Sequence, residues 1–369
     1  MEFLAFILII LAAMAIETFV YMRFSLDRIT YNCHFETDIA SEGDEIILVE
    51  EISNAKLLPV PWLKSEITTS KWLEFAELQS NVTDNARFAS SFFMLKSYHK
   101  IVRRWKVKCL KRGVFSIEKI VLVATDLFGT ANNSIPVEVD ATITVLPSPI
   151  DSEDFLPVSM HLYGDRVVRR HIVSDPFYYN GVREYSDGET GRISWTATAK
   201  QGDIMLFNNE FTSGQSIAIA LNIQSRETDR GTVLNERIVE NCIKTAATIF
   251  CNGAENCVPM KFMTNSVTYD SESDGNEGAG EEFCQQVLET LARLELSEKC
   301  SFDSYINDEL SKVASTDIYI VTSYVTPAMT EFAESRDGVR IFTLGGSGDD
   351  TDDVIYMGRF FSGRDKNDR

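Results

Sequence analysis

Ser216-Ile217-Ala218-Ile219-Ala220-Leu221-Asn222-Ile223 is a short, nearly continuous apolar run, and it decides how the second half of the chain folds. An apolar run without alternation is typical of a strand that is buried on both faces. Glu236–Phe250 follows with helical periodicity and one apolar face, formed by positions 238, 239, 242, 243, 246 and 247. A buried strand followed by an amphipathic helix predicts the beginning of a parallel α/β sheet.

The same alternation of buried strands and helices continues downstream. The pattern predicts strands at Val258–Met263, Asp317–Thr322 and Val339–Leu344, and helices at Glu281–Leu294 and Met329–Glu334. We therefore expect a doubly wound, mainly parallel α/β domain over residues 213–346. Residues 347–369 form a terminal segment whose charged tail we expect to be disordered.

Residues 24–150 show the period-2 alternation of short strands instead. The clearest strands are Glu45–Asn54, Leu57–Thr68, Lys100–Leu110 and Ile117–Thr125, with turns at 42–44, 81–85 and 111–113. These features predict an all-β, antiparallel sandwich of immunoglobulin-like character. In the third strand, Arg104, Lys106 and Lys108 alternate with apolar residues, which predicts a basic face that is either solvated or close to anionic lipid.

The N-terminus is apolar from Phe3 to Met22, with Glu17 as its one acid. A membrane-spanning helix needs about 20 mostly apolar residues, so residues 1–23 are compatible with a transmembrane anchor. A cleaved signal peptide, with small residues at 13 and 15, and a buried core helix are the alternatives. We favour the anchor because no basic residue precedes the run, whereas Arg23 and Arg28 follow it.

The positive-inside rule then places the bulk of the chain in the cytoplasm, behind a single span in the cell membrane. Glu17 lies near the end of the span. It is expected to reach the membrane interface, and a functional carboxylate within the membrane is the alternative interpretation.

A connector, residues 151–212, carries the segment Arg183–Lys200, in which arginines and acids surround a tyrosine and a tryptophan. Aromatic side chains are buried among charges only when those charges are paired. We expect Arg183 and Arg192 to pair with Glu184, Asp187 or Glu189, with Trp195 packed beneath them. The segment is then either a docking surface or an interdomain packing element.

The pattern Arg183-x-Tyr185, Gly188, Arg192-Ile193-x-Trp195 and Ala199 resembles the signature of the bacterial family called domain of unknown function 58. The segments 111–115, 126–129 and 145–147 follow the family's order, and the resemblance covers most of the chain. This sequence departs from the family pattern in three places: it has Glu189 and Ser194 where the family has Asp, and Lys200 where Arg is common.

The resemblance implies a von Willebrand factor A-like fold for the α/β domain. It also implies a MoxR-type AAA ATPase, and other membrane proteins, as partners. By the resemblance, the residues that matter for interaction are those of the signature: Arg183, Glu184, Tyr185, Gly188, Glu189, Arg192, Trp195 and Lys200.

A degenerate metal site follows from the same resemblance. Von Willebrand A domains that bind Mg²⁺ carry Asp-x-Ser-x-Ser after the first strand and Thr-Asp after a later one. Here the first motif maps onto Asn222, Gln224 and Arg226, and the second onto Thr322 and Ser323. Hard divalent cations need oxygen ligands, normally with carboxylate charge. We therefore expect no bound metal and no cofactor.

The charge of the chain limits its partners. A formal net charge of −20 and a pI near 4.7 argue against nucleic acid, because phosphate binding requires a basic surface. The acidic loop Tyr269–Glu282 is most simply a solvated surface. A calcium site or a contact with a basic partner are the alternatives, although the spacing of a Ca²⁺-binding loop is missing.

Catalytic patterns are weak in this sequence. Seven cysteines without a Cys-x-x-Cys motif indicate reduced thiols rather than a disulfide framework. Four histidines are scattered through the first half, and His171 is the one candidate partner for a thiol. We expect a non-catalytic, membrane-anchored adaptor. A thiol-dependent hydrolase and a metal-dependent surface adhesion module are the alternatives.

Overall fold

The computed structural model describes residues 2–150 except 77, residues 182–184 and 194–207, residues 216–267 except 232 and 256, residues 277–345 except 314, 316 and 337, and residues 351–361 except 352. The chain forms two compact units. The first comprises Met1–Ser148 and Leu288–Arg293, and the second comprises Pro149–Val287 and Leu294–Arg369.

The first unit begins with helix α1, Glu2–Phe24. Within it, Phe3–Phe24 is long and apolar enough to cross a membrane, with a mean hydropathy of 2.6, and most of its apolar side chains are exposed. An exposed helix of this composition does not belong to a protein core, so the buried-helix interpretation is wrong. A membrane anchor and a signal sequence remain compatible with it.

Two sheets follow α1. One has the strand order β1-β3-β8-β5 and the other β2-β11-β9-β4-β7-β6, with β10 paired to β9. Their bounds are β1 Ile29–Phe35, β2 Ile39–Ser41, β3 Glu45–Asn54, β4 Val60–Ser70, β5 Leu73–Phe75, β6 Gln79–Thr83, β7 Ala86–Leu95, β8 Lys100–Cys109, β9 Gly113–Thr125, β10 Asn132–Val137 and β11 Thr142–Leu146.

The two sheets enclose a common apolar core, so the predicted β-sandwich is confirmed. Leu48 and Val107 from one sheet pack with Ile67, Ile120 and Ile143 from the other. Alternation along the strands produces this core because successive side chains point to opposite faces. β8 shows the predicted pattern, with exposed basic residues at 104, 106 and 108.

The structure differs from the expected sandwich in the direction of one strand and in several strand bounds, and β9 begins at Gly113 rather than Ile117. Its strands are not all antiparallel, because β11 runs parallel to β2. β4 begins at Val60 rather than Leu57, since the preceding loop turns towards α1. Residues 79–83 form strand β6, and the turn is narrower than predicted, with Asp84 in the left-handed region at φ 51°.

The second unit contains a five-stranded, all-parallel sheet with the order β15-β14-β16-β17-β18. The strands are β14 Ile217–Leu221, β15 Met260–Thr264, β16 Asp317–Thr322, β17 Val339–Thr343 and β18 Val354–Tyr356. The helices are α3 Glu236–Glu255, α4 Glu281–Arg293, α5 Phe302–Asp308 and α6 Pro327–Ser335, and residues 288–293 of α4 are the part that belongs to the first unit. The order 2-1-3-4-5 is that of a doubly wound α/β fold, as the sequence predicts.

Helix α5 and strand β18 are among the elements of this unit that have no counterpart in the sequence prediction. Helix α5 is only two turns long and begins at the N-cap Ser301, whose hydroxyl accepts from the Ser304 amide. Strand β18 has three residues and pairs with β17. Both are too short to show a periodic pattern.

The described part of the connector holds two short strands and one short helix. Strand β12, Val182–Glu184, pairs with β13, Met205–Phe207. Helix α2, Trp195–Gln201, begins at the N-cap Ser194 and ends at Gly202, which has a φ of 86°.

Candidate functional site

The carboxyl edge of the parallel sheet is the place where doubly wound folds bind ligands. Each of four strands ends there in a polar residue. These residues are Asn222 after β14, Asn265 after β15, Thr322 and Ser323 at the end of β16, and Thr343 at the end of β17, and all are buried. Buried polar groups require hydrogen-bond partners, and the partners of these residues determine the chemistry of the edge.

Asn222 joins three of the strand ends. Its Nδ2 donates to Thr322 Oγ1 at 3.0 Å. Its Oδ1 accepts from the Gln224 amide at 3.0 Å and from Asn265 Nδ2 at 3.4 Å. The side chain that occupies the first metal-ligand position of the degenerate motif is therefore fully engaged within the protein.

Gln224 fills the space above the strand ends. Its Nε2 donates to the Asp229 carbonyl at 3.1 Å. Its Oε1 accepts from the Phe302 amide at 2.9 Å and from the Tyr324 hydroxyl at 3.1 Å. Burial raises the pKa of Tyr324 to about 12, so the hydroxyl keeps its proton and remains a donor at neutral pH.

Ser323 and Asp229 close the remaining side of the edge. Ser323 Oγ donates to the carbonyls of Gln224 and Ser225, at 2.7 and 3.0 Å. Asp229 Oδ2 accepts from the amides of Ser225 and Arg226, at 2.9 and 3.2 Å. Burial opposes ionisation of Asp229, but these hydrogen bonds outweigh it and hold the pKa of the carboxyl below its usual value.

The donor set does not fit Mg²⁺. The expected carboxylates are replaced by Asn222 and Ser323, whose polar groups bind protein partners, and Arg226 is exposed. Across the described ranges, no group of three His, Cys, Asp or Glu side chains is arranged to hold a metal ion. The edge is built as a hydrogen-bonded plug rather than an open ligand site.

Exposed apolar side chains lie on the loops that leave this plug. Leu234 follows β14 and is 71% exposed, Val267 follows β15, and Val325 follows β16. We call these three residues the apolar rim. A sealed polar centre with apolar side chains around it is suited to contact with a protein surface rather than to chemistry on a small molecule.

A glycine allows the close approach of β17 to the plug. A Cβ at Gly345 would lie 2.2 Å from the Ser323 carbonyl oxygen. Only glycine fits this position without displacing the backbone that carries Ser323.

The signature residues are described only in part. Arg183 and Glu184 lie on β12, in register with Leu206 and Met205. Lys200 is exposed in the last turn of α2. The other members of the signature, Tyr185, Gly188, Glu189 and Arg192, lie outside the described residues, as do Asp187 and the predicted ion pairs.

The expectation that Trp195 packs beneath charged pairs is wrong, because its side chain is 73% exposed. The tryptophan is the first residue of α2, directly after the N-cap Ser194. The cap fixes the backbone of this turn, and the indole side chain is left on the solvent side. Residue 194 is the N-cap of α2. Both Ser and Asp are favoured at an N-cap, which gives a physical reason why Ser194 can stand where the family pattern has Asp.

All seven cysteines are free thiols. Burial raises the pKa of Cys33 to about 12 and that of Cys109 to about 11. Cys251 and Cys284 have their Sγ atoms 3.6 Å apart, and this contact lowers the pKa of Cys284 and raises that of Cys251. His34 and His99 are exposed, and the candidate His171 lies outside the described residues.

Sequence reasoning missed Asn265, Asp229 and Tyr324 as members of the plug. Asn265 had a recognisable signal, since it lies two residues after the strand predicted at Val258–Met263 and directly follows the observed β15. Asp229 and Tyr324 had none, because their roles depend on how loops return to the edge.

Comparisons with known proteins leave the chain unassigned. No family model matches it, and no curated protein matches it. Solved structures give weak similarities to parts of the chain. A non-cellulosomal cohesin from Archaeoglobus fulgidus is 14% identical, covers 35% of this chain and 97% of its own, and has a TM-score of 0.23.

Two further structures are similar at the same level. The CARDB domain of a Pyrococcus furiosus protein is 11% identical, covers 32% of this chain and 91% of its own, and has a TM-score of 0.21. Domains D2 and D3 of the major pilin of Corynebacterium diphtheriae are 9% identical, cover 30% of this chain and 50% of their own, and have a TM-score of 0.23. Similarities of this size carry no functional argument.

Proposed function

We propose that this protein is a non-catalytic, membrane-anchored adaptor. Its α/β unit acts as a von Willebrand A-like domain that docks a MoxR-type AAA ATPase or its client, and α1 holds the complex at the cell membrane. The observation that carries the proposal is the carboxyl edge of the parallel sheet. It is sealed by Asn222, Gln224 and Ser323 and is surrounded by the apolar rim.

The fold is consistent with this role. The strand order of the parallel sheet is doubly wound, which a von Willebrand A-like domain requires, and the sandwich is proposed to be of immunoglobulin-like character. The raised pKa values of the buried thiols Cys33 and Cys109 disfavour thiolate chemistry at those positions. The identity of the ATPase rests on the resemblance of the signature segment.

The membrane placement rests on the sequence and on α1. Arg23 and Arg28 directly follow the apolar run of the helix, and by the positive-inside rule basic residues on this side of a span support a cytoplasmic location for both units. Residues 17–24 of the helix also form hydrogen bonds with the sandwich. A helix that is part of the fold is better explained as a retained anchor than as a cleaved leader.

Affinity capture from native membranes tests the proposal. Full-length protein is crosslinked mildly, captured, and the bound proteins are identified by mass spectrometry. A Leu234→Asp/Val267→Asp variant places charge at the two most exposed residues of the apolar rim. Val82→Asp is the control, since Val82 is an exposed apolar residue of strand β6 in the other unit. We expect a MoxR-type ATPase with the wild type and the control, and its loss with the rim variant.

Purified ATPase and full-length protein in nanodiscs then test whether the contact is direct. An Arg183→Ala/Arg192→Ala variant shows whether the signature segment takes part. Equal ATPase binding by the rim variant would place docking elsewhere. Absence of any such ATPase from wild-type captures, and no direct binding, would refute the adaptor.

A further inference from the structure

The turn between β9 and β10 presents two large apolar side chains to solvent. Leu127 is 51% exposed and Phe128 is 55% exposed. The turn is tightly built around the buried Asp126, whose Oδ1 accepts from the amides of Thr130 and Ala131 at 2.7 and 3.2 Å. Leu127 and Phe128 therefore lie side by side on a turn whose backbone is held by hydrogen bonds to Asp126.

This turn is bonded to α1 well before the helix ends. Thr18 Oγ1 donates to Asp126 Oδ2 at 3.0 Å, and the Leu127 amide donates to Glu17 Oε1 at 3.0 Å. The position of Leu127 and Phe128 along the helix axis is therefore set by residues 17 and 18.

The end of the helix is bonded to the same sandwich. Tyr21 donates its hydroxyl proton to the Pro59 carbonyl at 3.2 Å, and Asn133 Nδ2 donates to the Met22 carbonyl at 3.0 Å. The Lys56 ammonium donates to the carbonyls of Phe24 and Asp27 at 2.8 and 2.7 Å. Because several strands and loops hold α1, the helix and the turn move as one body.

Helix length then fixes the depth of the turn. The hydrocarbon core of a bilayer is about 30 Å thick and needs about 20 helical residues. From Phe3 to Ile16 the helix advances only about 20 Å, at about 1.5 Å per residue. The remaining thickness of the hydrocarbon core must be crossed by the residues from 17 to about 22. Glu17 and Thr18 therefore lie several ångströms inside the hydrocarbon core, measured from its boundary on the side of the sandwich.

We propose that the β9–β10 turn is inserted into the membrane, with Leu127 and Phe128 in contact with lipid at the boundary between headgroups and acyl chains. The partner of this surface is the lipid bilayer itself. The inference rests on the part of the proposed function that makes α1 a membrane anchor. It adds a second membrane contact that holds the sandwich against the bilayer.

Neighbouring features are consistent with this placement. The Leu127 amide supplies a donor to Glu17, the one acid of the span, which reduces the cost of its burial in lipid. Trp62 pairs with Thr125, next to the turn, and is exposed, and tryptophan is favoured at membrane interfaces. Leu57, beside the helix-capping Lys56, is also exposed.

Spin-label accessibility tests the proposal. Single cysteines are introduced as Leu127→Cys or Phe128→Cys into a Cys257→Ser background, since Cys257 is the exposed native thiol. Full-length protein is reconstituted in phosphatidylcholine–phosphatidylglycerol vesicles. Val82→Cys, an exposed position in β6, is the aqueous control, and Ile10→Cys, within α1, reports on the anchor.

We expect labels at 127 and 128 to have an oxygen-to-nickel-chelate accessibility ratio several-fold above that at 82, and close to that at 10. Aqueous behaviour at both turn positions with a lipid-exposed label at 10 would overturn this inference and leave the anchor intact. An aqueous label at 10 would overturn the anchor and the inference together. Turn labels shielded from both reagents would indicate a protein contact and would also overturn it.

Discussion

Glu50 is completely buried in the sandwich, yet both of its carboxylate oxygens have donors. Tyr31 donates to Oε1 at 2.7 Å, and Ser91 and Trp105 donate to Oε2 at 2.9 and 2.7 Å. A buried carboxylate is costly to desolvate, and these hydrogen bonds offset that cost. Burial and the nearby Glu50 charge raise the pKa of Tyr31, so its hydroxyl remains a donor.

We expect Glu50→Gln to destabilise the protein, because an amide nitrogen has to face at least one of these donors. The expected loss is about 1–3 kcal/mol in the free energy of unfolding, measured by urea denaturation of full-length protein in detergent. Glu51→Gln is the matched control. Glu51 forms an exposed pair with Lys100 at 2.8 Å, and the loss of this solvent-screened pair should destabilise the protein clearly less than the change at Glu50. Equal losses would contradict this role for Glu50.

Some single residues could be predicted from the sequence and others could not. The exposed basic side chains of β8 followed from strict alternation. The exposure of Trp195 did not, because composition predicts that a tryptophan is buried but not whether its turn faces the core. Glu50 is one of three acids in β3, and nothing in the sequence distinguishes it from Glu45 and Glu51. Its partners come from β1, β7 and β8, which only the fold brings together.

At the scale of secondary-structure elements, α2 depends on its caps. The helix has seven residues, which is too short for independent stability. Ser194 accepts from the Ala197 amide, and the Gly202 amide donates to the Thr198 carbonyl. The signature segment therefore ends in a helix whose first turn is capped by the Ser194 hydroxyl.

We expect Ser194→Ala to weaken the first turn of α2 by about 1 kcal/mol, seen as faster hydrogen exchange of a peptide covering 194–202. Ser194→Asp should preserve protection, because an aspartate side chain is also a good N-cap acceptor. Global unfolding should change little with either substitution. Faster exchange in the aspartate variant to the same degree as in the alanine variant would show that the cap is not what holds this turn.

The long elements followed from hydrophobic periodicity, and the short ones did not. Glu45–Asn54 and Asp317–Thr322 have the predicted bounds. Strand β18 and helix α5 were missed because they are too short to show a period. Three residues contain fewer than two strand repeats, and seven residues contain fewer than two helical turns. The position of the plug could be predicted, since it lies where the parallel strands end. The loop residues that seal it could not, because their placement depends on tertiary packing.

At the scale of the whole molecule, the buried thiols make the stability of the fold depend on pH in the alkaline range. Folding raises the pKa of Cys33 from 9.0 to about 12 and that of Cys109 from 9.0 to about 11. Above pH 9 the unfolded chain releases protons that the folded chain retains, so this contribution to stability is lost as pH rises. Lys56 acts in the opposite direction, because burial lowers its pKa from 10.5 to about 8.

We expect the thiols and Tyr31 to outweigh Lys56, so that the urea midpoint falls between about pH 9 and pH 11. A Cys33→Ala/Cys109→Ala variant should show a smaller fall over the same range. The midpoints are measured under reducing conditions to prevent disulfide formation. A variant whose midpoint falls as steeply as that of the wild type would remove the thiols from the explanation.

The helix α1 is divided between two environments, and truncation separates them. Residues 2–16 make the exposed apolar half, whereas Tyr21 and Leu26 are buried against the sandwich and Lys56 donates to the carbonyls that end the helix. Removing residues 1–16 should release the protein from membranes and keep these contacts. Removing residues 1–28 deletes Leu26 from the core and leaves the Lys56 ammonium without its acceptors. We expect this truncation to lower the free energy of unfolding by about 2–5 kcal/mol.

Urea denaturation of the two truncated proteins, both without the apolar half of α1, checks this expectation. The chain that begins at residue 17 should have the higher midpoint, and Tyr21→Ala in that chain should lower it by removing a buried side chain. Equal midpoints would mean that the helix end adds nothing to the fold. A rigid connection between the anchor and the sandwich would then be ruled out, together with any fixed depth for the β9–β10 turn.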